Sequence, residues 1–136
     1  MELVIDANRV IAAALAPGGN TAELLFSNEL HLFAPEFLRE ELDEHEDELV
    51  KKSGLSKAEF DIVVTLVFSR ISLIPFDGFK ECLPAARHIC PDPDDTEYFA
   101  LALKRGCAVW SEDKRLKAQS AVKILSTGEL ISLLSL

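Results

Sequence analysis

Four carboxylates in this sequence stand where an acid can do chemistry: Asp6, Glu41, Asp95 and Asp113. Asp6 directly follows the apolar run Leu3-Val4-Ile5, and Asp113 comes three residues after Trp110, the end of a second run, Ala108-Val109-Trp110. Asp95 opens the helical pattern that leads into that second run, and Glu41 lies in an acidic stretch. Carboxylates gathered in a low-dielectric cleft repel one another strongly. A divalent cation with hard oxygen ligands removes that conflict, and Mg²⁺ or Mn²⁺ suits an all-carboxylate site.

Whether the four acids meet depends on the elements that carry them. Apolar runs at 3–5, 31–34, 71–74, 108–110 and 122–125 read as buried strands, with helical patterns between them. Helices are expected over 7–16, stopped by Pro17-Gly18-Gly19, and over 21–28. A long helix is expected over 35–52, with Phe37, Leu38, Leu42, Leu49 and Val50 as its apolar stripe. Ser56-x-x-Glu59 reads as a capping box that opens a helix to about Ser69, and 76–89 as an irregular, partly helical connection. Asp94-x-x-Glu97 reads as a second capping box, starting a helix to Arg105 with Gly106 beyond its end. A last helix covers 127–134.

Apolar strands alternating with helices imply an α/β domain: three layers, α/β/α, around a parallel sheet of about five strands. One domain is expected over all 136 residues. In such open sheets, sites form beyond the carboxyl ends of the strands. Asp6 and Asp113 then project from the same edge. Asp95 falls in the first turn of the helix feeding the fourth strand, and Glu41 about two turns into the long helix.

These residues also carry a resemblance. Val-Ile-Asp-Ala-Asn-Arg-Val-Ile at 4–11 resembles the opening of the PIN-domain nucleases, and Pro35-Glu36-Phe37-Leu38-Arg39-Glu40-Glu41-Leu42 their glutamate-bearing segment. Asp92-Pro93-Asp94-Asp95 running into Phe99-Ala100-Leu101-Ala102 is similar to their third motif, and Trp110-Ser111-Glu112-Asp113 to their fourth. Order and spacing match over essentially the whole chain. The resemblance implies RNA hydrolysis with Mg²⁺ or Mn²⁺, leaving 5′-phosphate and 3′-hydroxyl ends. Asp6, Asp95 and Asp113 would carry the metal, and Glu41 a water or a second metal. Asn8 and Ser111 would orient a carboxylate or a phosphate oxygen from behind. It also implies either a toxin held by a small antitoxin protein, with a homodimer as one assembly, or an RNA-processing or decay enzyme.

Two departures stand out. Arg9 occupies a position where an apolar residue is more usual, and Lys114, Arg115 and Lys117 follow Asp113 where some relatives carry another acid. These four cations are the candidates for RNA contact. They matter because the formal net charge is −9, which repels phosphate at long range. The charge is uneven: residues 36–61 carry ten acidic and four basic side chains, residues 104–123 two acidic and six basic. An acidic protein can still present one basic rim to a polyanion.

Other acids have plainer readings. Asp94 reads as a helix cap and Asp92, beside Pro93, as a turn residue. Glu40 and Glu44 rival Glu41 on one acidic helix, and His45 reads as a surface residue. The three cysteines, Cys82, Cys90 and Cys107, lack C-x-x-C spacing and read as reduced, buried thiols rather than zinc ligands. No run of about 20 apolar residues is present, and no basic stretch precedes the N-terminal apolar residues, so a cytoplasmic protein without membrane attachment is expected. A dehalogenase-type phosphatase would need D-x-D after the first strand, but position 8 is Asn. A receiver domain would need an acidic pair there and a lysine after a late strand. A non-catalytic PIN-like binding module is opposed by the intact acidic set.

Overall fold

The computed structural model describes residues 1–134, and its centre is one five-stranded sheet. The strands are β1 (Glu2–Ile5), β2 (His31–Pro35), β3 (Ile71–Ile74), β4 (Ala108–Trp110) and β5 (Ile124–Leu125). Their order is β3-β2-β1-β4-β5, and every pairing is parallel. Leu3, Val4, Ile5, Val109 and Trp110 are at most 1% exposed, which explains why the central strands read as unbroken apolar runs.

The helices are α1 (Ala7–Leu15), α2 (Asn20–Leu25), α3 (Leu38–Glu44), α4 (Glu46–Ser53), α5 (Lys57–Phe68), α6 (Leu83–Ile89), α7 (Thr96–Arg105) and α8 (Thr127–Leu134). α1 packs with α2, α3, α4 and α5, whereas α7 packs with α6 and lies across β1, β2 and β4. The chain steps outward from β1 through β2 to β3, then jumps back to β4 on the far side of β1. Right-handed crossovers in opposite directions put their helices on opposite faces, giving three layers. The reversal lies between β1 and β4, and such a switch point opens a crevice at the carboxyl ends of the two strands.

Two expectations need correction. The long helix over 35–52 is two helices: His45, at φ −106° and ψ 11°, breaks the chain between α3 and α4. Asp94 is not a helix cap. Pro93–Asp95 forms a 3₁₀ turn whose N-cap is Asp92, its Oδ1 accepting from the Asp94 N–H at 3.0 Å. α7 therefore begins one residue later than the expected box. The capping box at Ser56 and Glu59 is formed in both directions. Gly106 sits at φ +65° after α7, where a glycine meets no Cβ penalty.

A carboxylate cleft at the switch point

The backbone builds the site from the sheet outward. The register pairs Ile5 with Trp110, so Asp6 leaves β1 beside Ser111 as β4 ends, and the Asp6 N–H donates to the Trp110 carbonyl at 3.3 Å. Asp6 is also the N-cap of α1: its Oδ1 accepts from the Arg9 N–H at 2.9 Å. That bond fixes the carboxylate at the positive end of a helix dipole. Asp113 caps the short 3₁₀ turn Lys114–Ala118, and its own N–H donates to Ser111 Oγ at 3.1 Å. Asp95 stands at the start of α7.

These elements enclose a cleft of about 200 Å³ lined by Asp6, Asn8, Glu41, Asp92, Asp94, Asp95, Tyr98, Asp113 and Arg115. All four acids singled out from the sequence face it, as does Asn8. Carboxylate oxygens of Asp92, Asp95 and Asp113 lie within 4.8 Å of one another. Asp6 is 6% exposed and Ser111 2%, so this part of the site is the floor of the cleft.

Electrostatics follow from burial and crowding. Burial pushes the Asp6 carboxyl above the ordinary aspartate range, opposed by the Ser111 hydroxyl and the Arg9 N–H. Asp95 is pushed up to about 6, first by burial and then by the charges of Asp92, Asp6, Asp113 and Asp94. Burial likewise raises Glu41, against the stabilising bond from Tyr98. Asp113 goes the other way, because the Arg115 side chain holds it as the anion. Two raised aspartates beside a third acid form a donor set whose negative charge Arg115 offsets only in part. All-oxygen and acidic, that set fits a hard divalent cation.

Two participants were not singled out from the sequence. Asp92 was read only as a turn residue. Its Oδ1 does serve the turn, while its Oδ2 faces the cluster, 3.6 Å from Arg115 Nη2. Tyr98, 2% exposed, donates its hydroxyl to Glu41 Oε1 at 2.8 Å. Its position three residues after Asp95, on the same helical face, was the available signal. Glu40 and Glu44 are exposed and do not line the cleft, whereas Glu41 is half-buried there. Removing the Tyr98 hydroxyl leaves the Glu41 carboxylate without its partner. Tyr98→Phe should cost about 1 kcal/mol of stability. It should also slow any reaction that uses Glu41 by about tenfold, as melting curves and cleavage rates would show.

The basic residues divide. The Arg9 guanidinium is partly buried, with Nη1 on Thr21 Oγ1 at 3.3 Å and Nε enclosed without a partner. Lys117 pairs with Glu129, and Arg115 pairs with Asp113 and Asp92. Lys114 is exposed and makes no ion pair among the described residues. His45 is exposed, and Trp110 is fully buried with its Nε1–H on Thr127 Oγ1. The three cysteines are partly buried and free.

An open parallel sheet with a carboxylate cleft at its switch point is a framework that hydrolases share. The model of the PIN domain matches residues 4–132, so the chain belongs to the PIN-domain family, a family of nucleases. Among solved structures, the fold is similar to the crystal structure of VapBC2 from Rickettsia felis bound to a DNA fragment from their promoter. The TM-score is 0.62 at 16% identity, covering 93% of this chain and 98% of that one. A comparison with curated proteins gave no match. No helix among the described residues is long and apolar enough to cross a membrane.

Proposed function

We propose that this chain is a Mg²⁺- or Mn²⁺-dependent endoribonuclease, with its whole length acting as one nuclease domain. The observation that carries the reading is the convergence of Asp6, Glu41, Asp95 and Asp113, joined by Asp92, on one cleft. Asp6, Asp95 and Asp113 would hold the cation, with Asp92 beside them. A cation held there would lower the pKa of a coordinated water and would offer positive charge to the phosphate oxygens.

The protein's own groups do the rest. Ser111 and the Arg9 N–H at the α1 N-terminus oppose the effect of burial on Asp6 and hold its carboxylate at the cleft. Glu41, steadied by Tyr98, is a half-buried carboxylate with raised proton affinity, suited to accept a proton from the attacking water. Attack in line on phosphorus forms the new P–O bond and breaks the P–O3′ bond, and the departing O3′ takes a proton from solvent water, leaving a 5′-phosphate and a 3′-hydroxyl. Asn8 can donate its amide to a phosphate oxygen. Lys114 is the cation best placed to meet RNA, with Lys117 and Arg115 available once their carboxylate partners release them. Arg9, held on Thr21, also steadies the Asp6 and Glu112 carboxylates with its charge.

A toxin role in the cytoplasm, with a small antitoxin protein as partner, is favoured by the likeness to VapBC2. A homodimer is compatible with that role. The direct test is cleavage of a mixed RNA pool with EDTA, Mg²⁺ or Mn²⁺, followed by sequencing of the ends. Metal-dependent cuts with 5′-phosphates are expected. Cleavage indifferent to EDTA, or none with either metal, would overturn the reading.

A further inference from the structure

The contact between Arg115 and Asp113 is more complete than a surface ion pair needs. Asp113 Oδ1 accepts from both the backbone N–H and the Nε–H of Arg115, each at 3.0 Å, and Oδ2 accepts from Nη2 at 2.8 Å. Both oxygens of this acid are therefore engaged by one residue. The same Nη2 lies 3.6 Å from Oδ2 of Asp92, whose other oxygen is committed to the Asp94 N–H. The guanidinium thus faces the available oxygens of two of the three acids that lie within 4.8 Å of one another. A planar fork matches a carboxylate in this way, and a lysine ammonium cannot. The Arg115 side chain is itself 75% exposed, so leaving the pair costs it little else.

We infer that Arg115 is a built-in competitor for the divalent cation, an internal counter-ion that must swing off Asp113 and Asp92 before a metal can occupy those oxygens. The inference rests on the metal-site reading given above and adds a residue that sets how much metal the site requires. Asp113 remains in place when the side chain leaves, because the Arg115 backbone N–H still holds Oδ1. The released guanidinium is then free to meet an RNA phosphate from the rim of the same cleft.

The test is Mn²⁺ affinity by calorimetry on the intact protein, with circular dichroism confirming each variant's fold. Exposed pairs are worth up to about 1 kcal/mol, so Arg115→Gln should bind Mn²⁺ about fivefold more tightly than wild type. Arg115→Lys, which keeps the charge but loses the fork, should fall between them. Lys114→Gln, an adjacent exposed cation without a carboxylate partner, should change affinity little. Equal gains from Arg115→Gln and Lys114→Gln would reduce the effect to net charge and overturn the inference. So would an affinity unchanged or weakened in Arg115→Gln, with the metal site itself intact. No Mn²⁺ binding in any of the proteins would instead remove the metal-site reading, and this inference with it.

Discussion

Asp95→Asn is expected to slow RNA cleavage by about a thousandfold or more while leaving the fold intact. A divalent ion stabilises charge in such a transition state by several kcal/mol. At about 1.4 kcal/mol per decade, losing it removes about three decades of rate. Asp6→Asn and Asp113→Asn should behave alike, because each keeps shape and removes one charge from the same cluster. Asp94→Asn is the control. Asp94 is exposed at the lip of the cleft and caps nothing, so its change should stay within about twofold. Rates on one RNA, measured at the Mn²⁺ concentration that just saturates wild type, decide the matter. An Asp94→Asn protein as slow as Asp95→Asn would show that the wrong acid of the pair has been chosen.

The second large effect is on stability. A ligand that binds only the folded state, at a hundredfold excess over its Kd, adds about 2.7 kcal/mol. For a domain of this size that is a rise in Tm of about 10 °C. Mn²⁺ should produce such a rise over EDTA in wild type and a much smaller one in Asp6→Asn. Equal rises in the two proteins would place the ion elsewhere.

In EDTA the sign reverses for removal of an acid. Asp95 has its folded pKa raised to about 6 from an ordinary 3.8, so the fold binds its proton more tightly than the unfolded chain does. Its favourable contribution is complete below the unfolded value and is lost as pH rises through the folded one. Metal-free Asp95→Asn should therefore be more stable than wild type at about pH 7.5, by about 1 kcal/mol once solvent screening is allowed for. That gain should shrink as the pH is lowered toward the unfolded pKa. A gain independent of pH would mean that packing, not charge, sets it.

The sheet was readable because its strands are short apolar runs bounded by turn-formers, and all five were located. The break at His45 was hidden in an acidic stretch without Gly or Pro. Its trace is a gap in the apolar stripe: between Leu42 and Leu49 a continuous helix would want an apolar residue near 45 or 46, and His and Glu stand there. Asp94 was misread because three acids of capping type crowd together and Glu97 completes the box pattern only for Asp94. Pro93 settles the frame, since proline favours the first position of a helical turn and so marks Asp92 as the cap. Asp6 and Asp113 could be placed at the sheet edge because strand ends locate them. Composition and periodicity did not separate Glu41 from Glu40 and Glu44; only the resemblance did, because the Tyr98 contact that holds it spans 57 positions.

The pairing of Leu3 with Ala108 joins the first strand to one made more than a hundred residues later. Closing a loop of that length costs entropy before the contact repays it, and such non-local pairings slow folding. Asp113 has no counterpart to gather around until β4 has slotted between β1 and β5. A chain truncated before Trp110 lacks Asp113 and the strand whose end brings it to Asp6. The cleft that gathers Asp6, Asp95 and Asp113 is therefore a property of the closed sheet and of no shorter piece of the chain.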